Sequence, residues 1–459
     1  MDFNATLRET RHTLGKSATL KLFVISGLAL ALLIPITMVK ALIDEREQRK
    51  EEVIEEISGK WGRPQTITGP VISIPYKKYF TDQDGRKHHT TEYFHLMPDS
   101  LDIKSTMTPE IRYRGMYEAV LYASELLLLC SFKAPELQDL EISPEDVVWS
   151  GAMIGVGISD MGGIKERIVA LHESESIEIN PGHTISTLIH SGVSAHIRMD
   201  GVGTHHFSIL LKLNGSQQIQ FAPVGKSTTV MVKSTWQAPS FVGDFLPVAR
   251  QIGKEGFEAR WNVLYLNRNY PQQWKGDAYN LDQSLFGVKL YKQVDVYQKS
   301  MRTAKYALLF IAFTFYAFFL SEILSQLSVH PVQYLLIGFA MIIFYTLLLS
   351  FSEQIGFNRA YMISSTAVII LIMSYTRSIS RRKSVTLMVG CTLGLLYGYC
   401  FILLQLEDYA LLMGSIGLFA ALAVIMYLTR KVNWYALCQR IKPEAPQANE
   451  TIDSRSVPA

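Results

Sequence analysis

The sequence predicts a membrane α-helical bundle of six transmembrane helices with one large, mainly β domain outside the cytoplasm. Two observations predict this fold class. Six apolar segments are each long enough to cross a bilayer, which takes about 20 residues, and about 260 residues of polar, strand-like sequence separate the first from the second. The six segments are Leu22–Val39, Tyr306–Leu324, Val332–Leu349, Ala360–Tyr375, Val385–Leu406 and Ala410–Leu428.

These segments divide the chain into five parts. The parts are a cytoplasmic N-terminus (1–21), transmembrane helix 1 (22–43), a periplasmic β-rich domain (44–303), transmembrane helices 2–6 (304–428) and a cytoplasmic, partly disordered tail (429–459). Helix 1 is predicted to be an uncleaved signal anchor, because its apolar run is too long for a signal peptide and Met38–Ala41 offers no small-x-small cleavage site. The fourth segment is short and contains Ser364 and Ser365, so a re-entrant or strongly tilted segment is the alternative there.

The domain between the first two spans begins as a helix and continues as strands. Charged residues crowd 44–57 with apolar residues on one side, which predicts a helix that leaves the membrane and ends near Trp61. Further along the apolar period changes to two, as in Phe207–Leu213, and Asn214-Gly215 predicts a hairpin turn. Repeated short strands without long helices between them predict antiparallel sheets packed face to face, in a sandwich-like domain.

Basic residues in the short loops predict the orientation of the bundle, because such residues accumulate on the cytoplasmic side. Arg377, Arg381, Arg382 and Lys383 lie between spans four and five, and Arg430, Lys431, Arg440 and Lys442 follow span six. The loops on the opposite side carry Glu353 and Arg359, then Glu407 and Asp408. Both termini are therefore predicted in the cytoplasm and the β domain in the periplasm of a bacterial inner membrane.

Composition narrows the class of partner. The net charge is +3. The sequence contains no basic patch interleaved with aromatic residues, the pattern that would indicate binding to nucleic acid. The lipid bilayer is the predicted partner, with an envelope component or a second membrane protein as a possible addition. Cys130 is the single cysteine of the β domain, so the sequence excludes a disulfide within that domain.

Ionisable residues near the ends of the spans are the first candidate site. Glu322 closes the second span, His330 and Pro331 begin the third, and Glu353 follows it. A charge at mid-membrane costs about 2.5–3.5 kcal/mol even on insertion scales, and these residues lie nearer the rims. Interfacial anchoring is the favoured interpretation and a transport role is the alternative. Glu322 and His330 are expected at the same rim, where they could pair.

Three glycines of the fifth span form the second candidate. Gly390, Gly394 and Gly398 recur at four-residue spacing and so share one helix face. A neighbouring backbone can approach such a face closely. We predict a packing seam within the bundle, with a ligand groove or a dimer contact as the alternative.

The histidines offer no ligand set by spacing, although nine of eleven lie in the β domain. His88-His89 and His205-His206 are adjacent pairs whose side chains diverge in a strand. Solvated histidines are the favoured interpretation, and a metal or pH-sensing site is the alternative. The stretch Gly155–Gly163 fits neither a nucleophile elbow nor a dinucleotide fingerprint and predicts a loop. The sequence predicts no catalytic, cofactor-binding or metal-binding residues.

The segment 240–247 is the most distinctive part of the β domain. It combines two aromatic residues, a Gly-Asp turn and a terminating proline, namely Phe241, Phe245, Gly243, Asp244 and Pro247. This combination predicts either a structural corner or a lip that docks on the membrane or on the second span.

Several of these stretches resemble signature segments of the CreD family. They are Phe241–Pro247, His330–Leu336, Phe344–Ser350 followed by Ser352-Glu353, and Tyr409–Ser415. They occur in the family's order around the same topology, from the first span to about Tyr435. The resemblance implies an inner-membrane protein of Gram-negative-type bacteria that is linked to envelope integrity and to a two-component system responding to envelope or β-lactam stress. It implies no catalytic residues.

The predicted function is that of a multi-pass inner-membrane protein, without catalytic activity, that supports envelope integrity and the stress response. Its periplasmic domain is expected to bind or sense an envelope component. A membrane transporter or export accessory built on helices 2–6 is the alternative. A periplasmic hydrolase would need Ser, Asp or His groups that converge in one pocket.

Overall fold

A computed structural model describes residues 18–84, 86–182, 189, 191–290, 296–325, 329–380, 382–406 and 409–430. The chain forms two compact units. The β unit is Gln48–Val294, and the helical unit combines Met1–Glu47 with Asp295–Ala459. The predicted cytoplasmic N-terminus before residue 18, the loop with Glu407 and Asp408, and the predicted disordered tail after Arg430 lie outside the described residues.

The described residues form eight α-helices. They are α1 (Ala18–Ala31), α2 (Leu33–Trp61), α3 (Val296–Lys305), α4 (Ala307–Ser325), α5 (Pro331–Ile355), α6 (Phe357–Ile379), α7 (Lys383–Gln405) and α8 (Ala410–Thr429). Only Leu32 separates α1 from α2, so the predicted helix that continues from the first span to Trp61 is confirmed. Within the described ranges, four helices are long and apolar enough to cross a membrane, at Lys21–Trp61, Pro331–Ile355, Phe357–Ile379 and Lys383–Gln405.

The prediction of six spans is confirmed only in part. A fifth span exists if α3 and α4 count as one, but the two helices are bent by 44° at their junction. The polar helix α3 carries Lys299, Arg302 and Lys305, so the apolar run begins only with α4. The last predicted span corresponds to a shorter apolar helix, Leu411–Tyr427.

The fourth predicted segment, the weakest in the sequence, is a continuous helix of 23 residues. Ser364 and Ser365 are buried in the helical unit, whereas Met362 and Ile370 are exposed. The Ser365 hydroxyl donates to the carbonyl oxygen of Met362 within the helix, at 3.2 Å. A bilayer favours polar groups that face the bundle and apolar groups that face outward. The re-entrant alternative therefore does not describe α6.

The described part of the β unit contains seventeen strands in two sheets. The first sheet has the order β13-β17-β11-β1-β5-β9-β8, with β2 pairing β1 and β16 pairing β2. The second has the order β14-β15-β12-β3-β4-β10-β6-β7. The strands are β1 (Gln65–Thr81), β2 (Lys87–Leu96), β3 (Ser100–Arg114), β4 (Tyr117–Lys133), β5 (Met153–Ile158), β6 (Val169–His172), β7 (Glu175–Ile177), β8 (Asn180–Pro181), β9 (Gly192–His196), β10 (Thr204–Ser216), β11 (Gln218–Phe221), β12 (Ser227–Ser234), β13 (Pro239–Gly243), β14 (Ala249–Gly253), β15 (Gly256–Leu264), β16 (Gln273–Lys275) and β17 (Phe286–Leu290).

Both sheets are mixed, which corrects the prediction of antiparallel sheets. β1 runs parallel to β11 in the first sheet, and β12 runs parallel to β3 in the second. Alternation of apolar and polar residues reveals which face of a strand is buried, but not the direction of its neighbour. One hydrophobic cluster joins the sheets, with Ile67 and Phe94 from the first and Leu128 and Trp261 from the second. Each sheet keeps open edges and neither closes into a barrel.

The predicted hairpin turn at Asn214-Gly215 is wrong, because both residues lie inside β10. The chain leaves that strand at Gln217, whose φ is +60°, and passes into β11 of the other sheet. Gly215 lies opposite the fully buried Tyr122, and a Cβ at this position would collide with the tyrosine ring. The glycine is required for close packing rather than for a turn. Gly155 and Gly157 likewise lie in β5, not in the predicted loop.

Candidate functional site

The segment from Pro239 to Gly253 joins an edge of one sheet to an edge of the other. β13 pairs with β17 at the end of the first sheet, and β14 pairs with β15 at the end of the second. The five residues 244–248 connect these two edge strands. The distinctive segment of the sequence therefore crosses the open side of the sandwich, and we call residues 244–248 the edge crossing.

Two aromatic side chains attach this segment to the core. The ring of Phe241 packs edge-on against Trp261 and Phe257, with centroid distances of 5.6 and 6.3 Å. The ring of Phe245 packs edge-on against Phe286 at 5.9 Å. Edge-to-face pairs of this kind contribute about 0.5–1.5 kcal/mol beyond the area they bury. Each sheet thus supplies a buried aromatic anchor for the crossing.

The Gly-Asp pair makes the bend between the two anchors. Gly243 has a φ of +93°, and a Cβ there would lie 2.7 Å from the Cα of Phe286. Only glycine accepts both the left-handed backbone and this close approach. The Asp244 N–H then donates to the carbonyl oxygen of Leu285, at 2.9 Å. Pro247 follows as a half-buried residue with no N–H to satisfy.

The outer side of this segment is apolar and exposed. Leu246, Val248 and Ile252 are 72%, 66% and 51% exposed. Ile252 lies directly opposite the buried Phe257, so both side chains lie on the same face of the sheet. In the inner strands of the sheet, this face forms part of the hydrophobic core. Sequence reasoning singled out the half-buried Phe241 and Phe245 and missed these three residues. The sequence offers no clear periodic signal for them, because Val248 lies between Pro247 and Ala249.

The predicted membrane residue Glu322 connects three helices of the helical unit. Its carboxylate forms a salt bridge with Lys21 of α1, and both side chains are more than four-fifths buried. The carboxylate also accepts hydrogen bonds from the Val329 N–H at 3.3 Å and the Tyr334 hydroxyl at 3.4 Å. Charges this far from water need a partner. Sequence reasoning named Glu322 and missed Lys21 as its partner.

His330 and Pro331 form a helix start rather than a pair with Glu322. Nδ1 of His330 accepts the Val332 N–H at 3.3 Å, while the Gln333 side chain accepts the His330 N–H at 2.9 Å. This is a reciprocal cap, with proline at the first helical position. In the described part of the chain no salt bridge joins Glu322 to His330, which corrects the expected pairing.

Glu353 lies near the C-terminal end of α5 and links this helix to α3, the first helix of the bent pair α3–α4. Its carboxylate accepts a hydrogen bond from the hydroxyl of Tyr297 in α3, at 3.0 Å. Lys299, two residues further along α3, has its ammonium 5.9 Å from the ring centre of Phe357. These contacts hold a polar helix against the apolar bundle. Glu353 thus resembles Glu322 in linking helices.

The predicted glycine seam of α7 is found only at Gly390. A Cβ there would collide with Met373 of α6, whereas Gly394 and Gly398 have no described atom within 4 Å of that position. The buried stripe of α7 runs through Val389, Leu393 and Tyr397. Each glycine follows a stripe residue by one position, and one residue turns a helix by about 100°. The glycine face therefore points beside the packing contact rather than into it.

An apolar groove of about 670 Å³ lies between α4, α7 and α8. Phe313, Leu396 and Leu418 are among its lining residues, one from each helix. The Tyr399 hydroxyl donates to the carbonyl oxygen of Met413 and so links α7 to α8 at this groove. Its size is that of a pocket for a small apolar molecule or an acyl chain.

The β unit also contains a Ser–His pair, the kind of arrangement that a hydrolase requires. Ser73 Oγ and His95 Nδ1 lie 2.9 Å apart. Both residues have no exposed surface, and Trp274 packs against the imidazole. A substrate carbonyl cannot reach a nucleophile enclosed in this way. The pair serves as a buried hydrogen bond between β1 and β2.

The helices and sheets define a class of protein with several membrane spans and one large β-rich unit between the first span and the rest. The sequence model of the CreD family, described as "Inner membrane protein CreD", matches residues 17–435. The chain is also 31% identical over 419 residues to "Inner membrane protein CreD" of Escherichia coli (strain K12). The aligned region covers 89% of this chain and 92% of that protein. The chain belongs to the CreD family of inner membrane proteins, and the predicted family is confirmed.

Proposed function

We propose that this chain supports envelope integrity and the stress response as a binding protein, without a reaction of its own. Its β unit lies in the periplasm and binds an extended segment of another envelope protein along β14. The observation that carries the proposal is the outer edge of that strand. Ile252 of that strand is exposed on the face that forms the core elsewhere, and Val248, which directly precedes the strand, is exposed as well.

An edge strand of this kind favours strand addition. In the part of the chain that the structure describes, the outer backbone groups of β14 face no further strand of the sheet. A peptide can pair with such a row through main-chain hydrogen bonds. Alternate side chains of the strand then supply apolar contacts. Natural edges are commonly protected by a charge, but the guanidinium of Arg250 lies over the ring of Phe241, 5.9 Å from its centre. The strand therefore presents apolar groups on a firmly anchored backbone.

The proposed location follows from the distribution of basic residues. Arg377 lies in the last turn of α6, Lys383 begins α7 and Arg430 follows α8. Basic loops stay on the cytoplasmic side. If α3 with α4 forms one span and α8 another, six crossings place both termini in the cytoplasm and the β unit outside.

In vivo photocrosslinking tests this proposal. A photoreactive residue at Val248 in the full-length chain should yield a protein adduct, and Ile252→Asp should abolish that adduct. A photoreactive residue at Lys104, exposed in the same sheet, is the matched control and should yield none. Adducts confined to lipid or to the chain's own helices would contradict partner binding and indicate docking on the membrane or the second span.

A second candidate function, transport or export assistance, is favoured by the apolar groove between α4, α7 and α8. The substitutions Glu322→Gln, His330→Gln and Glu353→Gln together test whether the ionisable residues drive it. Under the main proposal the triple variant is less stable, yet the correctly folded fraction retains envelope tolerance. Lost tolerance at an unchanged amount of folded protein would favour transport instead.

A further inference from the structure

We propose that His172, Glu173 and His205 form a binding site for a divalent metal ion of the zinc class, at the end of the second sheet. One nitrogen of each imidazole and one carboxylate oxygen of Glu173 lie within 4.8 Å of one another. Two imidazoles and a carboxylate are a ligand set that zinc uses in proteins. The site is separate from β14, which lies at the opposite end of the same sheet.

The strand register places the two imidazoles on one face. His172 of β6 lies opposite Phe207 of β10, and its ring stacks on that phenylalanine with centroids 4.4 Å apart. His205 precedes Phe207 by two residues in β10 and therefore points to the same side. His206 lies between them and points to the other side, where it is exposed. The two members of the adjacent histidine pair thus have different environments.

The spacing of the two nitrogens suits a shared ion. His172 Nε2 lies 3.1 Å from His205 Nδ1. Two nitrogens bound to one tetrahedral zinc at its usual bond length are about 3.3 Å apart.

The second nitrogen of His205 supports the same conclusion. Nε2 of this residue is buried and has no hydrogen-bond partner among the described residues. The nearest carboxylate is that of Asp200, at 3.8 Å. Metal-bound histidines commonly direct their other ring nitrogen to a carboxylate. A bound ion would fix the tautomer with hydrogen on Nε2, and Asp200 would then be its acceptor.

The backbone at Glu173 holds the third ligand over the histidines. Glu173 has a φ of +56°, a conformation uncommon for residues other than glycine and asparagine. Its N–H donates to the carbonyl oxygen of His206, and its Oε1 accepts the His206 N–H at 2.9 Å. These two bonds fix the carboxylate beside β10 and leave its second oxygen for a ligand. A local strain of this kind often accompanies a functional site.

The test uses the full-length protein in mild detergent, purified without a polyhistidine tag and stripped of metal with a chelator. Equilibrium dialysis against Zn²⁺ should show one saturable site per chain. His172→Gln and His205→Gln should each weaken its affinity by at least about tenfold. His206→Gln is the matched control on the same strand and should bind as the unchanged protein does. Co²⁺ should give the visible absorption of a tetrahedral site in the control and in the unchanged protein only.

Thermal stability separates a binding defect from a folding defect. In the presence of a chelator the three variants should melt as cooperatively as the unchanged protein. Added Zn²⁺ should raise the melting temperature of the unchanged protein and of His206→Gln, but not of His172→Gln or His205→Gln. No saturable Zn²⁺ binding, or equal binding in all variants, would show that the imidazoles form only a hydrogen bond with each other.

Discussion

The indole N–H of Trp261 donates a hydrogen bond to the carbonyl oxygen of Phe245, with 3.1 Å between the two heavy atoms. Trp261 belongs to the second sheet and is fully buried, whereas Phe245 lies in the edge crossing that comes from the first sheet. This bond adds to the Phe245–Phe286 ring contact in joining the crossing to the core. It also holds the backbone that leads into the exposed strand β14.

Trp261→Phe should destabilise the β unit, because it removes this hydrogen bond and leaves space beside Phe286. We expect a loss of about 2–4 kcal/mol, which lowers the melting temperature by about 5–10 °C. Thermal unfolding of the detergent-solubilised protein measures it. Leu264→Ala, at an exposed position of the same strand, is the control and should change stability by less than about 0.5 kcal/mol. Equal effects of both variants would show that the bond has no special role.

Gly243→Ala should prevent folding of the edge crossing, because it adds strain at φ +93° and a collision with the backbone at Leu285. Two controls separate these causes. Gly115→Ala has a positive φ but no neighbour within 4 Å, and Gly253→Ala has neither feature. We expect protease sensitivity of β14 to increase in the order Gly253→Ala, Gly115→Ala, Gly243→Ala. A fully protease-resistant Gly243→Ala protein would show that the bend is made differently.

Lys21 and Glu322 should show strong energetic coupling in a double-mutant cycle. Lys21→Met leaves a largely buried carboxylate without its cationic partner. The loss of folding stability should therefore exceed the roughly 0–1 kcal/mol contributed by an exposed ion pair and approach about 3 kcal/mol. The double variant with Glu322→Gln should recover much of that loss. Heating followed by gel filtration measures the folded fraction. Strictly additive losses would mean that the two residues act independently.

Acid should destabilise the β unit through Glu92. Hydrogen bonds from Lys78 and then Tyr76 lower the pKa of this carboxyl below its usual 4.5. A lowered folded-state pKa gives stability that is present above pH 4.5 and is lost as the pH falls through the folded value. Melting temperatures measured from about pH 6 to about pH 3 should fall less steeply for Glu92→Gln. Lys78→Met should reduce the slope more than Tyr76→Phe, and the reverse order would contradict the assignment of the main cause.

Sequence periodicity was sufficient for the elements whose environment is simple. The strand at Phe207–Leu213 alternates between a buried and a half-buried face, and it was predicted from that alternation. The helix that ends at Trp61 was predicted for the same reason. Its apolar positions follow a single period, and a glycine ends it.

Tertiary contacts decided the features that periodicity did not reveal. Asn214-Gly215 has the composition of a turn, but Gly215 makes room for Tyr122 inside a strand. The parallel pairing of β12 with β3 depends on which strands the chain brings together, and no local pattern encodes it. The ring of His172 meets that of His205 only because β6 pairs with β10, across a sequence separation of 33 residues.

The location of the β unit is the premise on which the proposed binding function depends most directly. Ile252→Cys in a chain without its four native cysteines, treated in spheroplasts with a membrane-impermeant maleimide, tests it. Arg382→Cys, in the exposed loop before α7, is the control for the cytoplasmic side. Residue 252 should be labelled in intact spheroplasts and residue 382 only after the inner membrane is opened. Labelling of residue 252 only after opening would place β14 in the cytoplasm and contradict the proposed function.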